Sequence, residues 1–141
     1  MKETMIETFS PEETHALGKK IGQQAKPGGV YTLIGDIGVG KTVFTQGMAH
    51  GLGIKEPISS PTFTIVQVYE EGLMPFYHFD VYRVSDPDEL FNIGIDEYFF
   101  GEGVCIVEWA DLILDILPEN TKYIYLAYGE NEGERVYKCT F

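Results

Sequence analysis

Residues 31–48, YTLIGDIGVGKTVFTQGM, constrain the fold of this chain more than any other stretch. Gly35 is followed, after four residues, by Gly40, Lys41 and Thr42. The apolar run VYTLI predicts a buried strand before this loop, and the run from Lys41 predicts a helix after it. A strand, a glycine-rich loop and a helix in this order gather backbone N–H groups around phosphates. The stretch therefore predicts a phosphate-binding loop in an α/β fold.

Separate roles are expected within this loop. Gly38 and Gly40 let the backbone wrap closely around phosphates, and Lys41 places its ammonium on the terminal phosphates. The hydroxyl of Thr42 is expected to reach Mg²⁺. A glycine-rich turn without a ligand is the alternative. The residues expected to contact the nucleotide are Asp36, Ile37, Gly38, Val39, Gly40, Lys41 and Thr42.

The rest of the chain predicts a single domain over residues 1–141. Ser10, Pro11 and Glu13 form a capping-box pattern that predicts a helix to about Ala25. The next helix, from Lys41, is expected to stop near the glycines in HGLG. TKYIYLAY and RVYKCTF predict an antiparallel hairpin. The expected fold is an α/β, P-loop NTPase-like sandwich with a mixed, largely parallel central sheet and this C-terminal hairpin.

Two acids are candidates for the chemistry beside the loop. Glu108 follows the apolar run VCIV, which is typical of a central strand, so we assign it to the metal. Asp80 ends the run FYHF and is assigned to the attacking water or a metal-bound water. Strand alternation places His78, Asp80 and Tyr82 on one face, where His78 could hydrogen-bond to Asp80. A solvated strand end is the alternative for each acid, and Trp109 either lines the site or caps the core.

SSPTFT, residues 59–64, follows the predicted loop helix. Many nucleotide-binding proteins carry at this place a segment that senses the terminal phosphate and switches between order and disorder. Its hydroxyl donors are Ser59, Ser60, Thr62 and Thr64. A proline-anchored turn leading into a strand is the equal alternative.

Composition limits the partners. The chain has 10 basic and 22 acidic residues and a net charge of -12, which disfavours direct binding to nucleic acid. Its N-terminus lacks the apolar stretch of a signal peptide, so cytoplasm is the expected location. The absence of an Asn/Thr-Lys-x-Asp motif favours ATP over GTP. Arg83 and Arg135 are the two arginines, so slow hydrolysis that a partner completes is expected.

The motifs GDIGVGKT, SSPTFTIVQVYE, YHFDVYR, IDEYF and VCIVEWAD occur in this order along nearly the whole chain. Together they resemble the TsaE family, also called YjeE, the bacterial ATPase required to make threonylcarbamoyladenosine in tRNAs that read codons beginning with adenine. The phosphate loop alone is common. Ser-Pro-Thr-Phe, His-Phe-Asp-x-Tyr-Arg and Glu-Trp-Ala-Asp in combination are specific.

The resemblance implies a weak Mg²⁺-dependent ATPase that assembles with TsaB and TsaD to modify position 37 of tRNA. In that system TsaD transfers the threonylcarbamoyl group, and ATP use by TsaE supports repeated turnover. Carried over by motif, Lys41 and Thr42 hold phosphate and Mg²⁺, and Glu108 is the magnesium-side acid. Asp80 is needed for hydrolysis, and residues 59–64 are the switch.

Two other functions fit the loop. Small P-loop kinases share it, but they usually carry several arginines in a lid over the acceptor, which two arginines cannot supply. A nucleotide-gated binding module that never hydrolyses ATP is the second alternative. The acidic charge is consistent with a factor that contacts protein partners and leaves the tRNA to them.

Overall fold

The computed structural model describes residues 3–35, 41–59, 61 and 65–141. None of the described helices is long and apolar enough to cross a membrane. In chain order the elements are β1 (Thr4–Thr8), α1 (Pro11–Gln24), β2 (Val30–Ile34), α2 (Lys41–Gly51), β3 (Val66–Tyr69), β4 (Phe76–Asp80), α3 (Asp88–Asn92), α4 (Ile95–Phe99), β5 (Val104–Glu108), two 3-10 turns (Ala110–Leu112 and Leu114–Ile116), β6 (Lys122–Tyr128) and β7 (Arg135–Cys139).

All these strands join one seven-stranded sheet, in the order β1-β7-β6-β2-β5-β4-β3. The four central strands, β6, β2, β5 and β4, run parallel to one another. Antiparallel pairs close both edges: β1 with β7 and β7 with β6 on one side, β3 with β4 on the other. The mixed α/β sheet and the C-terminal hairpin are confirmed, and the parallel part is the centre of the sheet.

The first helix begins where its capping signals predict. The Ser10 side chain accepts a hydrogen bond from the Glu13 backbone N–H at 3.2 Å. The Glu13 carboxylate accepts in return from the backbone N–H of Phe9, one residue before the cap, at 3.2 Å. Pro11 occupies the first helical position, where its missing N–H costs nothing. Local chemistry alone therefore fixes this end of α1.

Helices α1 and α2 cross with their backbones in contact. A Cβ atom at Gly18 would collide with the carbonyl oxygen of Phe44, and one at Gly22 with that of Met48. On the facing helix, a Cβ at Gly47 or Gly51 would collide with carbonyl oxygens of α1. Small residues four apart on both helices allow this approach. The helix ends at Gly51 as predicted, but this glycine also serves the crossing.

The sheet has a core on each face. Helices α1 and α2 cover one core, which includes Leu33, Phe44 and Met48. The opposite core, packed by α3, α4 and the first 3-10 turn, includes Phe79 and Leu90. All five residues of β5 are buried, because its side chains alternate between the two cores. The prediction of a central strand for VCIV is confirmed.

Replacing Gly47 with alanine tests the helix crossing. Helix propensity alone would favour alanine by about 1 kcal/mol. The added methyl group must displace the α1 backbone, and overpacking of this kind costs about 1–3 kcal/mol. We expect Gly47→Ala to lower the free energy of unfolding in urea. Gln23→Ala, at an exposed position of α1, is the control and should change it by less than about 0.5 kcal/mol. A stabilised Gly47→Ala protein would contradict the close crossing.

Candidate functional site

Three of the predicted site residues lie at one end of the central strands, which we call the carboxyl edge of the sheet. The carboxyl ends of β2, β4 and β5 meet there because these strands are parallel, and α2 begins there with Lys41. Asp80 and Glu108 are paired across β4 and β5 as the last residues of their strands. Lys41, Asp80 and Glu108 are only 7%, 5% and 6% exposed. A cation and two carboxylates are thus withdrawn from water at the same edge.

Lys41 has unusual partners for a buried cation. Its Nζ donates a hydrogen bond to the Gly35 carbonyl oxygen at 3.0 Å and lies 4.2 Å from the centroid of the Trp109 ring. Among the residues that the structure describes, no carboxylate lies within ion-pairing distance of this nitrogen. A buried charge is costly unless it is paired, and a carbonyl and an aromatic face compensate only part of that cost. The arrangement fits an anionic ligand.

Glu108 is held by a neighbouring strand. Its Oε2 accepts a hydrogen bond from Nε2 of His78 at 2.5 Å. Strand alternation allowed a hydrogen bond from His78 to Asp80, on the same face of the same strand. Instead the bond crosses to β5, because Glu108 lies opposite Asp80 and on the same face as His78. The expectation from one strand missed this pairing, which depends on the register between two strands.

Asp80 ends its strand. Its Oδ1 accepts a hydrogen bond from the backbone N–H of Tyr82 at 3.0 Å, and the chain turns after this point. The backbone N–H of Asp80 bonds to the Ile65 carbonyl oxygen at 2.8 Å. Strand alternation therefore stops at Asp80, and its extension to Tyr82 was wrong.

Trp109 lines the site. Its φ of 63° lies in the left-handed region, which is costly for a residue with a large side chain. Its ring contacts the Lys41 ammonium on one side, and the Tyr82 ring lies 4.7 Å away between centroids. Sequence reasoning left its role open. The sequence feature that indicates this role is the position of Trp109 directly after Glu108, the acid that ends a central strand.

The phosphate-loop and switch predictions fall mostly outside the described residues. Thr42 is described and is exposed in the first turn of α2. Ser59 is described, and its backbone N–H donates to the Tyr69 hydroxyl at 3.3 Å. The other residues, which lie outside the described ranges, are Asp36, Ile37, Gly38, Val39, Gly40, Ser60, Thr62 and Thr64.

The segment that leads into Ser59 is anchored by side chains. The Glu71 carboxylate accepts hydrogen bonds from the backbone N–H groups of Lys55 and Glu56, at 2.6 and 2.7 Å. The Gln46 side-chain oxygen accepts from the backbone N–H of Ile58 at 3.2 Å. The start of the expected switch is therefore tied to α2 and to the residues before β4.

A directed chain of hydrogen bonds continues from this anchor to α1. Because the Gln46 oxygen accepts from Ile58, its Nε2 donates to Nε2 of His50 at 3.1 Å. The proton of His50 is then on Nδ1, which donates to Nε2 of His15 at 2.7 Å. Burial, His50 and Lys19 lower the pKa of His15 from its ordinary value. The chain requires His15 to accept, so it requires a neutral ring.

The described residues supply only part of a metal site. Within the described ranges, no group of three or more His, Cys, Asp or Glu residues is placed to hold a metal ion. Mg²⁺ in nucleotide sites usually takes one or two carboxylates together with phosphate oxygens and waters. Glu108 with Thr42 suits that arrangement and does not suit a cage made of protein alone.

Comparison with known proteins decides the family. A family model described as "Threonylcarbamoyl adenosine biosynthesis protein TsaE" matches residues 8–137. The chain belongs to the TsaE family. The TsaE protein of Bacillus subtilis is 50% identical over 135 residues, covering 95% of this chain and 84% of the relative. The TsaE protein of Treponema pallidum is 43% identical over 117 residues, covering 83% of this chain and 86% of the relative.

A solved structure agrees with this membership. The crystal structure of Bacillus subtilis YdiB superposes with a TM-score of 0.84 at 44% sequence identity, covering 98% of this chain and 84% of that chain. The resemblance inferred from the motifs is therefore confirmed, as is the fold. Both relatives carry the name "tRNA threonylcarbamoyladenosine biosynthesis protein TsaE".

The neutral His15 of this TsaE-family chain makes its stability depend on pH. The unfolded chain binds the His15 proton more tightly than the folded one, because folding lowers the pKa below 6.5. The contribution is fully present above pH 6.5 and is lost as pH falls through the folded pKa. We expect His15→Gln, which keeps an acceptor, to weaken the loss of stability in urea between about pH 7 and pH 5. Gln23→Ala is the control, and an unchanged pH profile in His15→Gln would contradict the hydrogen-bond chain.

Proposed function

We propose that this chain is the ATP-binding and ATP-hydrolysing component of the machinery that makes threonylcarbamoyladenosine at position 37 of tRNA. It acts as a weak, Mg²⁺-dependent ATPase with TsaB and TsaD and supports their turnover. One observation carries the proposal. In a TsaE-family chain, a buried Lys41 without a carboxylate partner among the described residues begins a helix at the sheet edge where Asp80 and Glu108 end their strands.

Lys41 supplies the positive charge for the phosphates of ATP. A phosphate oxygen is a stronger partner for an ammonium than the Gly35 carbonyl oxygen, because the hydrogen bond is charged on both sides. The first turn of α2 adds the positive end of its helix dipole. Residues 36–40 complete the proposed cradle, with Asp36, Ile37 and Val39 offering backbone N–H groups between the glycines.

Thr42 and Glu108 are the proposed magnesium ligands. Bound Mg²⁺ neutralises phosphate charge and orients the terminal phosphate for in-line attack. The Thr42 hydroxyl lies in the exposed first turn of α2, and Glu108 lies at the end of β5, so the two approach the phosphate position from different elements. Strand and helix ends hold such ligands more precisely than loops do.

Asp80 is the proposed group that orients the attacking water. Its Oδ1 is fixed by the Tyr82 backbone N–H at 3.0 Å, which sets the direction of the carboxylate. Its register opposite Glu108, the proposed metal ligand, supports this role. Ser59, Ser60, Thr62 and Thr64 are the hydroxyls proposed to sense the terminal phosphate, in a segment whose start is anchored through Ile58.

The proposed partners are those that the family resemblance implies, and the charge and the shortage of arginine support a role for partner proteins. An arginine that stabilises the transferring phosphate can raise a hydrolysis rate by about 10³–10⁵-fold. With only Arg83 and Arg135 in the sequence, we propose that TsaB and TsaD complete or gate the site. A net charge of -12 suits docking on proteins and disfavours direct contact with tRNA. The proposed location is the cytoplasm.

Phosphate release tests the proposal. We expect slow ATP hydrolysis by the wild type that requires Mg²⁺ and rises when TsaB and TsaD are added. Asp80→Asn and Glu108→Gln should each lower the stimulated rate by at least about 100-fold, because each removes a carboxylate from the reacting centre. Lys41→Ala should weaken ATP binding, measured by equilibrium dialysis. The matched control is Asp115→Asn, at an exposed position in the second 3-10 turn.

Two results would replace the proposal. Transfer of the terminal phosphate to a small metabolite would identify a kinase. Tight ATP binding with no turnover, with or without TsaB and TsaD, would identify a nucleotide-gated binding module. Where the site variants do lose activity, an Asp115→Asn protein with the wild-type rate shows that the loss comes from the site and not from the removal of one negative charge.

A further inference from the structure

His78 is buried beside the proposed magnesium ligand and has no assigned role. The side chains of His78 and Glu108 are 2% and 8% exposed, and their hydrogen bond of 2.5 Å links β4 to β5. In the parallel register His78 lies opposite Ile106, while Glu108 lies opposite Asp80. The two side chains are therefore diagonal neighbours on one face of the sheet, with His78 in the middle of the β4–β5 pairing and Glu108 at its end.

The hydrogen bond between His78 and Glu108 has one direction when the carboxylate is ionised. An ionised carboxylate only accepts, so Nε2 of His78 then carries the proton and donates it. The other ring nitrogen, Nδ1, is buried and has no hydrogen-bond partner among the described residues. Buried side-chain nitrogens are usually satisfied, and each exception calls for an explanation. Here a ring that serves Glu108 alone occupies a place that an apolar side chain could fill without leaving a nitrogen unpaired.

The hydrogen bond from His78 gives the two oxygens of the Glu108 carboxylate different surroundings. Oε2 of Glu108 is occupied by His78, and Oε1 takes no hydrogen bond from the residues that the structure describes. Without His78, the carboxylate could rotate about its last bond and present either oxygen. When His78 holds Oε2, the carboxylate cannot rotate freely, and the direction of Oε1 is therefore set as well. Partners of this kind orient metal-binding carboxylates and raise their affinity for the metal.

We propose that His78 is the positioning residue for Glu108, holding one oxygen of its carboxylate so that the other one contacts Mg²⁺ or a water of its shell. This inference rests on the proposed function, because it needs a magnesium nucleotide at the site. His78 itself touches neither nucleotide nor metal. Its contribution is to the orientation of Glu108, and it should be visible in how strongly Mg²⁺ improves nucleotide binding.

Two substitutions separate orientation from packing. His78→Leu keeps an apolar body of similar size and removes the donor. His78→Gln keeps a donor, because its amide nitrogen extends about as far from the backbone as Nε2 of histidine. The measurement is the affinity for a non-hydrolysable ATP analogue by isothermal titration calorimetry, in Mg²⁺ and again in EDTA. The ratio of the two affinities isolates the metal-dependent part.

We expect His78→Leu to lower this ratio by roughly 10–100-fold, the usual effect of losing such a partner, while the affinity in EDTA stays within about 2-fold. His78→Gln should restore most of the ratio. The matched control is Thr32→Val on the adjoining part of the sheet, since Thr32 also carries a buried side-chain oxygen without a described partner. Thr32→Val should leave the ratio unchanged.

A purely structural role would give a different pattern. It would lower the free energy of unfolding in urea and change the affinities in Mg²⁺ and in EDTA by the same factor. Their ratio would then stay the same as in the wild type, and this result overturns the inference. If His78→Leu does not fold, His78→Asn replaces it. The shorter asparagine amide does not reach Glu108, so His78→Asn should show the lowered affinity ratio and His78→Gln a ratio near that of the wild type. Equal ratios in these two variants would also overturn the inference. A wild type that binds no ATP analogue in either condition would instead refute the proposed function.

Discussion

The contact between the backbones of α1 and α2 determines where the first turn of α2 lies. Glycines on both helices let each backbone rest against carbonyl oxygens of the other, so α2 can neither slide nor roll without a collision. The helix packs on the sheet through Phe44 and Met48, which are fully buried. Lys41 is therefore held at the end of a closely packed helix, and its position depends on contacts made along α2 from Phe44 to Gly51.

The strand side of the site is built with equal rigidity. β5 is covered on both faces, and its pairing with β4 brings Asp80 and Glu108 to the same level. Two carboxylates in a poorly hydrated place oppose each other, and the protein compensates with donors: Tyr82 for one and His78 for the other. The paired strands thus keep the carboxylates of Asp80 and Glu108 close together, although an unfolded chain would let them move apart. This is the usual relation between a stable scaffold and a preorganised site.

Sequence reasoning succeeded where the determining forces are local. Ser10, Pro11 and Glu13 fixed the start of α1 through neighbouring backbone groups, and the apolar run before Glu108 identified a central strand. It failed at His78, whose partner depends on the register between strands, and at Tyr82, because the hydrogen bond that ends β4 at Asp80 is made by a side chain. Among the glycines of the helix crossing, only Gly51 was interpreted, as a helix end, since the partners of these glycines lie on a distant segment.

The place of Trp109 gives this protein an internal optical probe. It is the only tryptophan in the sequence, and its ring lies 4.2 Å from the Lys41 ammonium. A ligand that contacts the ammonium would change the charge directly above the indole, and indole emission is sensitive to such a change. The proposed binding at Lys41 is therefore open to measurement by tryptophan fluorescence, without a label and without turnover.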